Sequence, residues 1–218
     1  MTLEPASSPE LPQEVITCLK NARYLHLATT GGLWPHVSLM NYTFLPSNPH
    51  SINGAPPGGP VIILTVQHST KKINNLLANP RVSLLVHDWV SHRAPLGTST
   101  TITTTEDRPR QSSLASLLTN LNSAELSSIS ATLFGHAHLI PQGSEYEQFY
   151  RQLHTESCVG SGESMCYLEG EDARIVVVTI SWTRVADYKG LVKDWVKPGE
   201  EKAWEEFEND AVRSANGA

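Results

Sequence analysis

The stretch from Val61 to Leu85, VIILTVQHSTKKINNLLANPRVSLL, narrows the choice of fold more than any other part of the chain. It opens with Val61, Ile62, Ile63, Leu64 and Thr65, apolar or β-branched residues that predict a strand. A hydroxyl-rich step follows at Thr65, Ser69 and Thr70, and then Lys71 and Lys72. Ile73, Leu76 and Leu77 stand at i, i+3 and i+4, a short helical pattern. Asn79-Pro80 ends that helix, because the residue before a proline is pushed out of the α region. Val82, Leu84 and Leu85 then begin a second strand. A strand that runs through hydroxyls and cations into a helix start can seat a phosphate: free amides and the helix dipole favour an anion, and the lysines supply charge. The competing reading is a solvated cap, with Ser69 or Thr70 as N-cap and two surface lysines. Local chemistry leaves both open.

The same stretch resembles the pyridoxamine 5′-phosphate oxidase-like, FMN-binding split-barrel family. That family's central signature reads T-x(3,4)-[ST]-[RK]-K-x-x-[NQ]-[LI]-x-x-N-P-R-V-S-L. It is met here by Thr65, Thr70, Lys71, Lys72, Asn75, Leu76, Asn79, Pro80, Arg81, Val82, Ser83 and Leu84. The resemblance implies a six-stranded split β-barrel with short peripheral helices, a homodimer, and FMN bound at the subunit interface.

The rest of the chain supports a mainly β, α+β architecture. Residues 1–9 read as a loose arm, Glu10 to Asn21 as a short helix, and Ala22 to Thr30 as a strand turned by Gly31-Gly32. Val37 to Leu45 is the next strand, and residues 46–60, dense in Pro and Gly, form a flexible hairpin tip. Beyond the central stretch the chain becomes rich in Thr and Ser. Residues 91–128 read as a mobile insertion holding a short helix at Ser112 to Leu121. Ser130 to Ile140 returns to a strand, with Gly135 suggesting a bulge. Ser144 to His154 is a helix with Ser144 as N-cap and Glu147 at the capping-box position. Residues 155–164 read as a Gly/Ser loop, Ala173 to Val185 as a long strand, and the tail from Pro198 as charged and helix-prone. Some six strands with two or three outer helices fit a small barrel, whereas a doubly wound fold would need a helix after nearly every strand. One domain spanning 1–218 is expected.

Composition restricts the partners. With 16 basic and 22 acidic residues the chain carries a formal charge of −6, which argues against a general nucleic-acid or anionic-membrane surface. Three cysteines (Cys18, Cys158, Cys166) argue against a disulfide framework. No apolar run reaches membrane-spanning length, and the first residues lack the basic-then-apolar order of a signal peptide. A cytoplasmic, possibly also nuclear, protein is the expectation.

The resemblance carries specific residues. Family oxidases place an arginine for the flavin phosphate where Ser38 aligns, so phosphate binding would lean on Lys71 and Lys72; an ordinary strand serine is the alternative reading of Ser38. Leu39, Met40 and Asn41 would offer backbone groups to the isoalloxazine edge. Ser130 aligns with a family glutamine that touches the flavin, and Trp195 with an aromatic brought near the ring from the partner subunit; packing in its own chain is the alternative reading of Trp195. His136 and His138 share a strand face, but no third metal ligand follows at a fixed spacing, so no metal is expected. The resulting site is Ser38, Leu39, Met40, Asn41, Thr65, Ser69, Thr70, Lys71, Lys72, Ser130 and Trp195. The function implied is a flavin-dependent oxidoreductase acting on a small molecule, without an assigned catalytic acid or base. The alternative is a non-catalytic flavin- or haem-binding protein on the same fold. The segment from Arg184 to Gly190 lacks the Arg-x-His step of true pyridoxamine-phosphate oxidases, which argues against that substrate.

Overall fold

A computed structural model describes residues 4–52, 56–88, 129–160 and 172–216. The insertion expected at 91–128, with its short helix, lies outside them. The elements are β1 (Ala6–Ser7), α1 (Gln13–Asn21), β2 (Tyr24–Thr29), β3 (His36–Asn41), β4 (Thr43–Leu45), β5 (Val61–Gln67), α2 (Lys71–Ala78), β6 (Arg81–His87), β7 (Ile129–Leu139), α3 (Glu145–Gly160), β8 (Ala173–Asp187), β9 (Val192–Val196) and α4 (Glu201–Asn216). No helix among the described residues is long and apolar enough to cross a membrane.

The strands make a split barrel. Antiparallel ladders join β2 to β3, β4 to β5, β5 to β8, β8 to β7, β7 to β6 and β6 back to β2. With β3 and β4 taken as one bent strand, six strands ring the core. The sheet does not close as one ladder, because the single strand expected over Val37 to Leu45 breaks at Tyr42. That side chain is buried, and its hydroxyl lies 2.8 Å from the Leu19 carbonyl and 3.0 Å from the Ala22 carbonyl at the end of α1. On one side of the break β3 follows β2; on the other, β4 follows β5.

Burial explains why some strands alternate and others do not. In β2, β6 and β7 every second residue (Leu25 and Leu27; Val82, Leu84 and Val86; Ala131 and Leu133) points into the barrel. The runs VIIL of β5 and IVVV of β8 are apolar on both faces because both are covered. Ile62, Leu64, Val176 and Val178 fill the barrel, whereas Val61, Ile63, Ile175 and Val177 form a second core with Tyr150 of α3.

Several local expectations need correction. The Gly/Ser segment from 155 is helical to Gly160, since α3 continues past His154. The N-terminal arm is not wholly loose: Ala6 and Ser7 pair in parallel with Trp195 and Val196. Nor is the 46–60 connection free. Asn48 is buried and accepts the Tyr150 hydroxyl at 2.7 Å, and His50 packs edge-on to Phe149 at 4.6 Å. The Ser144 cap is present, its hydroxyl accepting the Glu147 amide at 3.1 Å, but the Glu147 carboxylate reaches back to the Gly143 amide at 2.6 Å and to Arg151 instead of to Ser144.

The last helix is held by charge. Arg184 on β8 forks onto Asp194 at 2.8 and 2.7 Å and also donates to Glu208 of α4, while the Trp204 indole donates to Asp194 at 2.9 Å. Burial pushes the Asp194 carboxyl up, yet the hydrogen bonds from Arg184 and Trp204 outweigh it and hold the group ionised below its usual range.

Gly135 marks the bulge, with the register shifting between Phe134 and Gly135. A Cβ there would stand 1.9 Å from the Thr179 carbonyl oxygen, so only glycine lets β7 and β8 approach. Gly135→Ala should cost about 2–4 kcal/mol in urea unfolding. Gly32→Ala, whose Cβ would meet nothing within 4 Å, should be nearly neutral. Equal effects of the two substitutions would contradict this reading of the bulge.

Candidate functional site

Where the ladder breaks, β3 keeps β2 on one edge, and its other edge faces the end of β5 across the split. Backbone groups of Ser38, Leu39, Met40 and Asn41 line this seam from β3, and Thr65 lies on the facing strand. The Thr65 hydroxyl is buried and has no hydrogen-bond partner among the described residues. An orphaned buried hydroxyl costs stability and calls for an acceptor or donor from elsewhere.

The chain then leaves β5 through His68 and Ser69 into α2. Thr70 is the N-cap residue, but its hydroxyl donates backwards to the Gln67 carbonyl at 2.8 Å and does not cap the helix. The first turn of α2 holds no acid; it holds Lys71 and Lys72. Two cations at the positive end of a helix oppose the dipole, and nothing in the turn compensates them. Lys71 is exposed. Lys72 is partly buried, and that burial lowers its ammonium below the ordinary lysine range. A bound anion would reverse the penalty at both residues.

The signature residues that do no chemistry position this turn. Asn75 is buried and its amide donates to the Thr29 hydroxyl at 3.0 Å, tying α2 to the end of β2. Gly31 permits the approach, since a Cβ there would lie 3.0 Å from the Asn75 Cα. Asn79 ends the helix with its side-chain oxygen accepting the Arg81 amide at 3.1 Å.

Of the eleven residues expected from sequence, nine lie along β3, β5 and the start of α2. Ser130 lies on the outer face of β7, opposite His87 in register and away from the seam. Trp195 is 3% exposed in the barrel core of its own chain, its indole donating to the Ser8 hydroxyl at 2.9 Å. Sequence reasoning missed His36, whose Nδ1 lies 3.3 Å from the Ser38 hydroxyl. The i, i+2 spacing on a strand would have shown that they share a face. It also missed a cavity of 530 Å³ that opens beside the seam between α1, the Tyr42 break and the end of α3, with Lys20, Arg23, Asn41, Thr43 and Ser157 among its lining. His138 is placed 3.1 Å from the Thr179 hydroxyl, and no group of three or more metal-ligating side chains occurs among the described residues.

Comparison with known proteins bears on the family. A family model described as pyridoxamine 5′-phosphate oxidase matches residues 11–186. A pyridoxamine 5′-phosphate oxidase homolog of Schizosaccharomyces pombe is 36% identical over 199 residues, covering 89% of this chain and 95% of that protein. A homolog from Saccharomyces cerevisiae is 30% identical over 185 residues, covering 81% of this chain and 90% of the relative. Among solved structures, a heme binding protein from Mycobacterium smegmatis superposes with a TM-score of 0.53 at 16% identity. The match covers 85% of this chain but spans 59% of that protein, and it speaks for the fold alone. With the split barrel, the complete signature and these full-length relatives together, the chain belongs to the pyridoxamine 5′-phosphate oxidase family.

Proposed function

We propose that this protein binds FMN along the seam and uses it as a flavin-dependent oxidoreductase on a small molecule. The observation that carries the reading is the first turn of α2, where Lys71 and Lys72 face no acid within the turn and Thr70 leaves the amides uncapped. This is the chemistry of a phosphate seat. The orphaned Thr65 hydroxyl beside it fits the same group. In this reading Lys71, Lys72 and Ser69 hold the phosphate, and Thr70 shapes the turn with its own N–H and O–H both donated to the Gln67 carbonyl. Ser38 adds a hydroxyl, and the backbone of Leu39, Met40 and Asn41 meets the ring edge. Bound FMN would supply a hydride-accepting ring, which the protein binds, orients and shields. The cavity beside Asn41 and Thr43 has the position and volume to hold a substrate against that ring.

The proposed assembly is a homodimer. Val37 and Leu39 on the outer face of β3 are 60% and 59% exposed, and Trp34 on the adjoining hairpin is 86% exposed. An apolar stretch of this kind is what a second copy would cover. In such a dimer Ser130 would approach the partner's flavin. Trp195 would act from within its own core, supporting the fold.

Substrate phosphate has little to bind on β8. Arg184 is committed to Asp194 and Glu208, and a dianion would have to break both contacts.

Three outcomes are expected. Lys72→Ala should weaken FMN by roughly 1.5–3 kcal/mol and riboflavin far less, with Lys71→Ala adding to the loss; equal losses for the two flavins would move the lysines off the phosphate. Val37→Asp combined with Leu39→Asp should give a monomer by light scattering and lose FMN, whereas a monomer that retains stoichiometric FMN would contradict the interfacial site. Anaerobic mixing of the flavin form with pyridoxine or pyridoxamine 5′-phosphate should leave the flavin band unchanged. Rapid bleaching at micromolar vitamer would show those compounds to be substrates.

A further inference from the structure

A second cavity, of 350 Å³, lies between α4 and the outer face of the sheet, at the far end of α2 from the lysines. Ala28, Ser83 and Gly135, with small side chains or none, leave the space open above its floor. One wall is aromatic: Phe134 stacks on Trp182 with ring centroids 3.6 Å apart and planes 6° from parallel, and Phe207 of α4 tilts against both at 5.1 and 4.8 Å. Ala203 closes it from α4. Arg81 and Glu206, both well exposed and 3.7 Å apart, stand among its lining residues as the only full charges, and they offset one another.

A β-bulge makes this cavity. Phe134 pairs with Trp182 and Gly135 with Ile180, which leaves Ser181 without a register partner. Consecutive residues of a regular strand face opposite sides, but here Ser181 and Trp182 both line the cavity. Ser181 is 4% exposed, and its carbonyl accepts the Lys197 amide at 2.9 Å. Its hydroxyl has no hydrogen-bond partner among the described residues. The hydroxyl therefore opens onto the cavity, where a ligand oxygen could accept its proton. Ser83, opposite Phe134 in register, brings a second hydroxyl to the same space.

We propose that this cavity binds a small, uncharged, planar heteroaromatic molecule bearing a carbonyl or amide oxygen. The ring packs against the Phe134, Trp182 and Phe207 side chains, and the oxygen accepts the protons of Ser181 and Ser83. The volume is at the small end of ligand pockets, roughly 300–1,000 Å³, enough for one or two fused rings and too little for a nucleotide. The site shares no residue with the seam. Its floor and aromatic stack lie within the span 11–186 that the family model matches, and its covering residues, Ala203 to Phe207, lie beyond it.

Nicotinamide is the probe, and benzene, which lacks an acceptor, is the control. Their titration into the full chain, with and without added FMN, is followed by the NMR shift of the Trp182 indole N–H, assigned through Trp182→Phe. Nicotinamide should give a saturable shift with a dissociation constant on the order of 1 mM, as expected for a fragment. Benzene should bind at least about tenfold more weakly, and Ser181→Ala should weaken nicotinamide about tenfold. Ala203→Phe should fill the space and abolish the shift; if that variant does not fold, the near-isosteric Ser181→Ala decides alone. Absence of a saturable shift, benzene binding equal to nicotinamide, or wild-type affinity in Ser181→Ala would overturn the proposal.

Discussion

The fold depends on where the Tyr42 hydroxyl is held. With that oxygen between the carbonyls of Leu19 and Ala22, the bent strand is fixed to the end of α1, and its two halves take different neighbours. Burial pushes the phenol's ionisation up, so it remains a neutral donor at any physiological pH. Without the break, β3 would continue along β5 and its edge would be spent on a ladder. With it, that edge stays open and the barrel gains a seam beside the cationic turn of α2. The helix α1 that receives the hydroxyl also buries Val15, Cys18 and Leu19 in the barrel core, so seam and core are tied together.

The two-sided burial of β5 and β8 gives this seam a rigid support. Their inner faces meet the barrel core and their outer faces meet α3, so the strand that carries Thr65 cannot slide by one residue without exposing a full apolar set. Register therefore fixes where the hydroxyls and lysines emerge. Asn75 and Gly31 then set how closely α2 approaches the end of β2. Residues without chemistry of their own decide where the chemical ones stand.

Much of this was legible in the residues. The period-two pattern of β2, β6 and β7, the proline stop at Pro80 and the glycine bulge at Gly135 are local signals, and each one sits where its signal says. The unlegible parts depend on contacts distant in sequence. Tyr42 breaks a strand because of carbonyls on α1, about twenty residues back; nothing in VSLMNYTFL signals it. Residues 155–160 continue α3 despite a Gly/Ser-rich composition that favours a loop. Packing, one of the two readings of Trp195, is what the structure shows, but Ser8, which satisfies its indole within the core, is too far away in sequence to be read as its partner. The bulge that turns Ser181 and Trp182 to one side is visible only once β7 and β8 are in register.

The central claim is that the seam and the first turn of α2 hold FMN. The visible absorption spectrum of the purified chain, after incubation with equimolar FMN and removal of free flavin by gel filtration, tests it most directly. Retained bands near roughly 375 and 450 nm, in proportion to protein, are the predicted result for a bound flavin. A protein that emerges without flavin absorption, or with the intense single band of a haem in its place, would contradict the account.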